Sequence, residues 1–227
     1  MSRLAEATWP EAGRGGALVV PLGATEQHGP HLPLGTDTMI VEALLKRFEE
    51  ARPGAWISPA VAIAASGEHS GFPGTLSIGG RALAELLVEL GRSADHFDRI
   101  YFVNWHGGNA TAIDEAVARL NEEGRVAGRW RPEPDWAGHD LHAGWVETSM
   151  MLAIHPGLVR REAAEAGTES RSPGTLARLR AEGVGAVSPN GVLGDPEGAS
   201  AADGRRLLAG LAECLVADFD RFACPRS

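Results

Sequence analysis

The residues best suited to chemistry are concentrated near the N-terminus, in the stretch GATEQHGPHLP at residues 23–33, with Asp37 shortly after it. Glu26 and His28 are two positions apart, so in an extended backbone their side chains project to the same side. The glycine and prolines that follow stiffen and turn the loop, which allows Asp37 to fold back towards this pair. Carboxylate oxygens combined with imidazole nitrogen are typical ligands of Zn, Mn or Fe. The stretch therefore predicts a transition-metal site.

Two later stretches carry the other candidate ligands. His106 begins HGGN at residues 106–109, and Glu147 lies within HAGWVETS at residues 142–149. Each residue also has a purely structural interpretation, such as a surface carboxylate, a helix cap at Asp37 or a hydrogen-bonded buried histidine. Taken together, several such groups at successive strand–helix junctions are costly to bury unless a cation neutralises them. We predict the following metal ligands: Glu26, His28, Asp37, His106 and Glu147.

The elements that position these residues alternate between strand and helix patterns. Apolar runs predict strands at residues 17–22, 56–65, 100–103 and 125–130. Helical periodicity predicts helices at residues 36–50, 80–97, 147–154, 176–181 and 204–222, and a further helix that ends near residue 123. Residues 131–142 are predicted to be a loop. The first run lacks polar alternation, which is typical of a strand buried on both faces of a parallel sheet. The pattern predicts an α/β fold, a three-layer α/β/α sandwich around a mainly parallel sheet. Ligands bind such sheets at the carboxyl ends of the strands, where the candidates lie.

Length and composition limit the class of protein. With 227 residues, 44% hydrophobic and 22% charged, the chain is predicted to form one globular domain over 1–227, with its core at about 15–220. A net charge of −9 with only two basic pairs argues against a nucleic-acid partner. The chain has no apolar run of membrane-spanning length and no signal-peptide pattern, and it has only two cysteines. We therefore expect a cytoplasmic protein without a membrane partner.

These motifs resemble the creatininase (creatinine amidohydrolase) family. The matching stretches are GATEQHGPHLP at 23–33, TDT at 36–38, SGEH at 66–69, GTLSIG at 74–79, HGGN at 106–109 and HAGWVETS at 142–149. The likeness runs from about residue 15 to residue 220 and implies a creatininase-like sandwich, commonly assembled as a hexamer, with two divalent transition metals. It also implies that Glu26 and His106 hold one metal, that His28 and a further carboxylate hold the second, and that Asp37 bridges them.

The chain departs from creatininase proper at two positions. Creatininase carries a ligand Glu two residues after the histidine at position 106, whereas this chain has Gly108. That difference argues against creatinine as the substrate and makes Glu147 our choice for the fifth ligand. Trp105 replaces a Gly that usually precedes this histidine, so we expect its indole to line the site.

The late segments AVSPNGVLGDP at 186–196 and ASAADGRR at 199–206 are similar to a peptidase subgroup of the family, as is ASGEH at 65–69. That subgroup is associated with iron and zinc and removes a C-terminal Val-Tyr dipeptide from a ribosomally made precursor peptide. The late segments carry no chemistry that is visible in the sequence. A precursor peptide is therefore the partner that the resemblance implies, with a homo-oligomer as the assembly.

The resemblance and the residue types lead to a mechanism of amide hydrolysis. Two metals about 3.5–4 Å apart lower the pKa of a bound water to near 7, which readies it to attack an amide carbonyl. The leaving amine needs a proton, and a histidine is suited to carry it. We predict catalytic roles for His142, which matches the family's proton-shuttling position, and Glu147; the alternative for His142 is a loop histidine that only holds Glu147. The predicted substrate contacts are Glu68, His69, Trp105 and Asn109.

Two other functions stay open at this stage. Another amidohydrolase of the family, acting on a small cyclic amide or a formamide, would need the same residues around the bond. A non-catalytic binding protein on a flavodoxin-like sheet would be expected to carry a phosphate-binding glycine loop, and no GxGxxG or GxxxxGK[ST] pattern occurs.

Overall fold

A computed structural model describes residues 3–12, 15–132, 140–168 and 174–224 of the chain. Within these residues, four parallel strands form one sheet in the order β2–β1–β3–β4. The strands are β1 (Ala17–Leu22), β2 (Trp56–Ile57), β3 (Arg99–Asn104) and β4 (Ala127–Trp130). The helices are α1 (Thr36–Ala51), α2 (Gly80–Ser93), α3 (Ala110–Glu122), α4 (Trp145–Ile154), α5 (Thr175–Glu182), α6 (Val184–Val187) and α7 (Ala201–Ala223).

Helices cover both faces of the sheet, which confirms the predicted α/β/α sandwich. Side chains of a strand alternate between its faces. In β1, Val19 joins the hydrophobic core formed with α1, α4 and α7, whereas Leu18 joins the core formed with α2 and α3. All six residues of β1 are buried. The unbroken apolar run therefore belongs to a strand that is buried on both faces of the sheet, as predicted.

Some element boundaries differ from the predictions. The second strand is much shorter than residues 56–65, because Pro59 cannot donate a ladder hydrogen bond; only isolated bridges continue beyond it, such as Leu22 with Val61. Helix α2 ends at Ser93, four residues early. Helix α7 begins at Ala201, three residues early, where the Ser200 hydroxyl accepts a hydrogen bond from the backbone N–H of Asp203.

The predicted loop at 131–142 falls partly on residues 133–139, which lie outside the described residues. In the part of the chain that the structure describes, every helix is too short or too polar to cross a membrane.

The register of the sheet brings two strand ends together. Leu22 pairs with Asn104, so the last residues of β1 and β3 are neighbours at one edge. The loops that carry Glu26 and His106 therefore start side by side. Asn109 ties them together: its amide donates to the carbonyl of Gly23 and to the Asn104 side chain, both at 3.0 Å.

Candidate metal centre

Five buried side chains meet at this edge of the sheet, from four separate segments of the chain. They come from the loop after β1, the first turn of α1, the loop after β3 and the first turn of α4, and they are Glu26, His28, Asp37, His106 and Glu147. The structure thus brings together all the residues that the sequence predicted as metal ligands.

Asp37 lies between two histidines. Its Oδ1 is 3.1 Å from Nε2 of His28, and its Oδ2 is 3.3 Å from Nδ1 of His106. Glu26 Oε1 lies 3.2 Å from the same His106 nitrogen, and Glu147 Oε2 lies 3.8 Å from the same His28 nitrogen. Three groups of potential ligand atoms result, each with its atoms within 4.8 Å of one another. Asp37 belongs to two of them, with Glu26 and His106 and with His28 and Glu147, and the third joins Glu26, His28 and His142.

Hydrogen bonds on the far side of each ring determine which histidine nitrogen faces the carboxylates. His106 Nε2 is 2.9 Å from the carbonyl oxygen of Ala65, and His28 Nδ1 is 3.1 Å from that of Glu26. A carbonyl oxygen only accepts, so these nitrogens carry the protons. When the ring is neutral, as metal binding requires, the other nitrogen, which faces Asp37, has a lone pair. Such back-side hydrogen bonds are usual for metal-binding histidines.

Several carboxylate oxygens at the centre lack a hydrogen-bond partner among the described residues. Both oxygens of Glu26 and Oδ2 of Asp37 are buried in this condition. Buried charged oxygens without partners are costly. Lone pairs of histidine and carboxylate that face each other at 3.2–3.3 Å become favourable when a cation lies among them, so the residues fit a metal centre.

The pKa values of His28 and His106 show that the centre stabilises positive charge. Burial is the largest single effect and disfavours a charged imidazole, yet the charge and hydrogen bond of Asp37, together with the charges of Glu147 and Glu26, outweigh it and raise the pKa of His28 to about 10. Burial opposes charge at His106 too, but Glu26 and Asp37 raise its pKa well above the usual range. Without a metal, protons on both rings therefore neutralise the carboxylates.

His142 lies next to this centre and lines a cleft that opens above it. Its Nδ1 is 3.8 Å from Glu26 Oε1, and its ring centroid is 4.3 Å from that of His28. Burial, followed by the charge of His28, lowers the pKa of His142. The ring is therefore neutral near pH 7 and can accept a proton.

Glu147 is held in place by two donors. The indole N–H of Trp105 donates to its Oε1 at 3.0 Å, and the backbone N–H of Ala143 donates to its Oε2 at 2.7 Å. Ala143 has a φ of +56°, the only positive value at a non-glycine among the described residues. Such a conformation is costly and is typical of functional sites. Trp105, predicted as a substrate contact, directs its N–H at Glu147.

The other predicted substrate contacts divide into two groups. Glu68 and His69 line the cleft, which has a volume of about 1150 Å³. Asn109 does not reach it: its side chain is fully buried, and its Oδ1 accepts from the backbone N–H of Ala65 at 3.0 Å. Asn109 is the N-cap residue of α3, but its side chain forms no capping hydrogen bond with that helix. With all its polar atoms engaged in joining loops, Asn109 is not placed to contact a substrate.

Gly108, where creatininase has a ligand carboxylate, faces Glu68. A Cβ atom built on Gly108 would lie 2.4 Å from Glu68 Oε1 and 2.3 Å from the carbonyl oxygen of Ala65. The space beside this position is thus taken by a carboxylate from another segment. Glu68 Oε1 is 3.7 Å from Nε2 of His106, the nitrogen that faces away from Asp37.

Two residues of the site were missed from the sequence. Gln27, between two predicted ligands, is buried and touches both His69 and His142. Asp140 accepts a hydrogen bond from the backbone N–H of Val146 at 2.6 Å and so holds the first turn of α4. Burial raises the pKa of Asp140 to about 6. The position of Gln27 inside EQH was the only available signal; Asp140 lay in a predicted loop without a motif.

Comparison with known proteins agrees with this site. Residues 5–219 match the creatininase family, described as creatinine amidohydrolase. A mycofactocin precursor peptide peptidase of Mycobacterium ulcerans is 46% identical over 95% of this chain and 86% of its own length. A crystal structure of creatinine amidohydrolase superposes with a TM-score of 0.82 at 25% identity, covering 99% of both chains. A mutant creatininase of Zn-Zn type gives 0.75 at 25% identity, over 96% of this chain and 98% of that one.

The chain therefore belongs to the creatininase family, as its motifs predicted. It is a hydrolase that acts on amide bonds, and its buried cluster is a candidate metal site.

Proposed function

We propose that this protein is a two-metal peptidase that removes the C-terminal Val-Tyr dipeptide from the mycofactocin precursor peptide, in the synthesis of a redox cofactor. The observation that carries the proposal is the pair of ligand groups sharing Asp37, next to a cleft of about 1150 Å³ that Glu26 and His106 line. The relative from Mycobacterium ulcerans, named for this peptide, supports the choice of substrate.

Each metal has its own proposed ligands. Glu26, Asp37 and His106 would hold one, and His28, Asp37 and Glu147 would hold the other. The mixture of carboxylate and imidazole suits iron and zinc, and manganese is the other candidate. Bound there, two divalent cations would lower the pKa of a shared water and polarise the amide carbonyl.

The protein's own residues move the proton that amide hydrolysis requires. Nδ1 of His142 faces the centre with a lone pair and accepts the proton that the attacking water loses. The water oxygen forms the new C–O bond, the C–N bond breaks, and His142 returns the proton to the leaving nitrogen. Glu147 keeps its orientation through Trp105 and Ala143 during this exchange. Glu68 and His69, on the wall of the cleft, contact the peptide.

The size of the cleft and the residue at position 108 favour a peptide over creatinine. Ligand pockets of about 300–1,000 Å³ serve drug-sized molecules, so a cleft of about 1150 Å³ is far larger than a small cyclic amide requires. Gly108 also supplies no carboxylate where creatininase has one.

Arg131 offers a recognition element for a peptide terminus. It is a cationic residue of the cleft wall, whose other charged residues include Glu68, Asp114 and Glu182. A C-terminal carboxylate pairs well with a guanidinium, so we expect Arg131 to contact the end of the substrate.

Incubation of the metal-loaded protein with three substrates tests the proposal. We expect mass spectrometry to detect a released dipeptide from the precursor peptide and no product from creatinine or from a formamide. Arg131→Ala should raise KM for the peptide at least about tenfold, since charge-assisted hydrogen bonds contribute about 1.5–3 kcal/mol. Hydrolysis of creatinine or a formamide, with the peptide left intact, would instead establish the alternative amidohydrolase function.

We further propose a homo-oligomer, a hexamer by family likeness, located in the cytoplasm. Four large apolar side chains at 38–51% exposure lie on connected segments: Leu34, Ile63, Leu76 and Ile78. Leu76 bridges to Thr25, and Leu34 packs over Gly74. Apolar surface of this kind is typical of subunit contacts. Both cysteines are exposed and unpaired, which suits a reducing compartment.

A further inference from the structure

The side-chain amide of Gln27 lies within hydrogen-bonding distance of several groups at the site. Its Oε1 accepts a hydrogen bond from the backbone N–H of Gly29 at 2.9 Å. Its Nε2 lies 2.9 Å from Nδ1 of His69, 3.0 Å from the carbonyl oxygen of Gly191 and 3.0 Å from Nε2 of His142. The bond from Gly29 identifies which end of the amide is oxygen.

The number of hydrogens on the amide decides among these partners. An amide nitrogen carries two hydrogens, but three acceptors lie within reach. Nε2 of His142 has a second partner, the backbone carbonyl oxygen of Gln27 at 2.7 Å. One arrangement leaves none of these groups unpaired: the amide donates to His69 and to Gly191, and Nε2–H of His142 donates to the Gln27 carbonyl.

This arrangement determines the tautomers of both histidines. His69 accepts at Nδ1, so its proton is on Nε2, which lies 3.3 Å from Glu26 Oε1. The N–H of His69 therefore lies on the side of the Glu26 carboxylate, without a hydrogen bond to it. His142 carries its proton on Nε2, which leaves the lone pair of Nδ1 facing Glu26 and the cleft.

We propose that Gln27 is a positioning residue that sets the tautomers of His69 and His142, so that His142 presents a proton acceptor to the reacting water. Its effect on turnover rests on the proposed function, whereas the tautomers themselves can be measured independently of any reaction. A histidine that presents the wrong nitrogen would have its N–H where its lone pair is needed.

The late segment at residues 190–194 acts through Gln27 and His142. Leu193 forms an antiparallel bridge with His142, and Gly191 presses against the amide of Gln27. A Cβ atom built on Gly191 would lie 1.9 Å from Gln27 Oε1. The segment at residues 190–194 thus helps to fix the positions of His142, which carries the proton, and of Gln27, which orients it.

Nitrogen NMR of the zinc-loaded wild type, labelled with 15N-histidine, tests the tautomers directly. We expect both His69 and His142 to carry the proton on Nε2. In Gln27→Glu the new carboxylate can only accept, so the proton of His69 should move to Nδ1. A wild-type spectrum with the proton of His69 or His142 on Nδ1 would overturn the proposal, as would an unchanged His69 in Gln27→Glu.

A matched pair of glycine variants tests the effect on turnover. Gly191 and Gly124 share a φ of +80°, but a Cβ on Gly124 meets nothing within 4 Å. Gly191→Ala should lower kcat about 10–100-fold, the range for groups that orient metal-site residues. KM and zinc content should stay within about twofold of wild type, and Gly124→Ala should retain the wild-type kcat.

Equal kcat values for the two glycine variants would contradict the positioning role. So would a loss of kcat in Gly191→Ala that is proportional to its loss of zinc. If the wild type fails to cleave the peptide, the proposed function fails instead. The NMR result would then still decide whether Gln27 sets the tautomers.

Discussion

At the scale of single residues, His28 and His106 exchange protons for metal. Against burial, Asp37, Glu147 and Glu26 together raise the pKa of His28 to about 10. Glu26 and Asp37 likewise raise the pKa of His106. Both rings are therefore protonated in the metal-free protein at pH 7. Because only the neutral ring binds a metal, loading should release about two protons, and affinity should rise with pH up to the raised pKa values.

Calorimetric titration with zinc, in buffers of different ionisation enthalpy, measures this release. Asp37→Asn is the control. Its loss of negative charge should lower the pKa of His28 and, at the same time, weaken the binding of zinc. Full-affinity zinc binding to the wild type without proton release would show that these histidines are not ligands.

Trp105 stabilises Glu147 through one hydrogen bond from its indole N–H. Trp105→Phe removes this donor but keeps an aromatic ring, so it separates the bond from packing. We expect a 10–100-fold loss of metal affinity or of kcat/KM, as is usual when a group orienting a ligand is removed. Equal kcat/KM and zinc affinity in the two proteins would mean that Ala143 alone holds Glu147.

Residue types and spacing were enough to predict all five candidate ligands, yet they could not predict how the ligands are held. Glu26 and His28 are neighbours in sequence, and their chemistry is visible there. The partner of Gln27 at Gly191 is 164 positions away, so only the folded chain reveals it. Asn109 was misjudged for a similar reason: its bonds go to Gly23 and Ala65, which no local pattern links to it.

At the scale of elements, helix α4 carries Glu147 and packs closely on α7. A Cβ atom built on Gly204 of α7 would lie 1.9 Å from the carbonyl oxygen of Ser149 in α4, whereas one on Gly210 meets nothing within 4 Å. Gly204→Ala should therefore separate the helices and lower the free energy of unfolding by about 1–3 kcal/mol. Gly210→Ala should raise it by about 0.5–1 kcal/mol.

Thermal and denaturant unfolding of the two glycine variants measures these changes. Since the same shift displaces Glu147, the zinc affinity of Gly204→Ala should fall as well. Equal stability of the two variants would show that the contact between α4 and α7 does not position the site.

Elements with strong patterns were predictable, and those limited by tertiary contacts were not. The apolar run of β1 and the periodicity of α1 gave nearly correct bounds. The run at 56–65 looked like one strand, but after Ile57 it is held only by isolated bridges and turns towards the site. A run of apolar residues indicates that the segment is buried. It does not indicate where the pairing with a neighbouring strand ends.

At the scale of the whole molecule, the apolar surface around Leu76 is the proposed subunit contact. Leu76→Glu places a charge on a side chain that is 51% exposed. We expect light scattering after size-exclusion chromatography to show a hexamer for the wild type and smaller species for this variant. Leu158→Glu, at 39% exposure on a different segment, is the control. A monomeric wild type would refute the proposed assembly.

The proposed hydrolysis depends on two cations that share Asp37. Anomalous diffraction from crystals of the metal-loaded protein tests this most directly. We predict two peaks about 3.5–4 Å apart, one among Glu26, Asp37 and His106 and the other among His28, Asp37 and Glu147. A single peak, or peaks away from Asp37, would show that the protein has no two-metal centre of this kind.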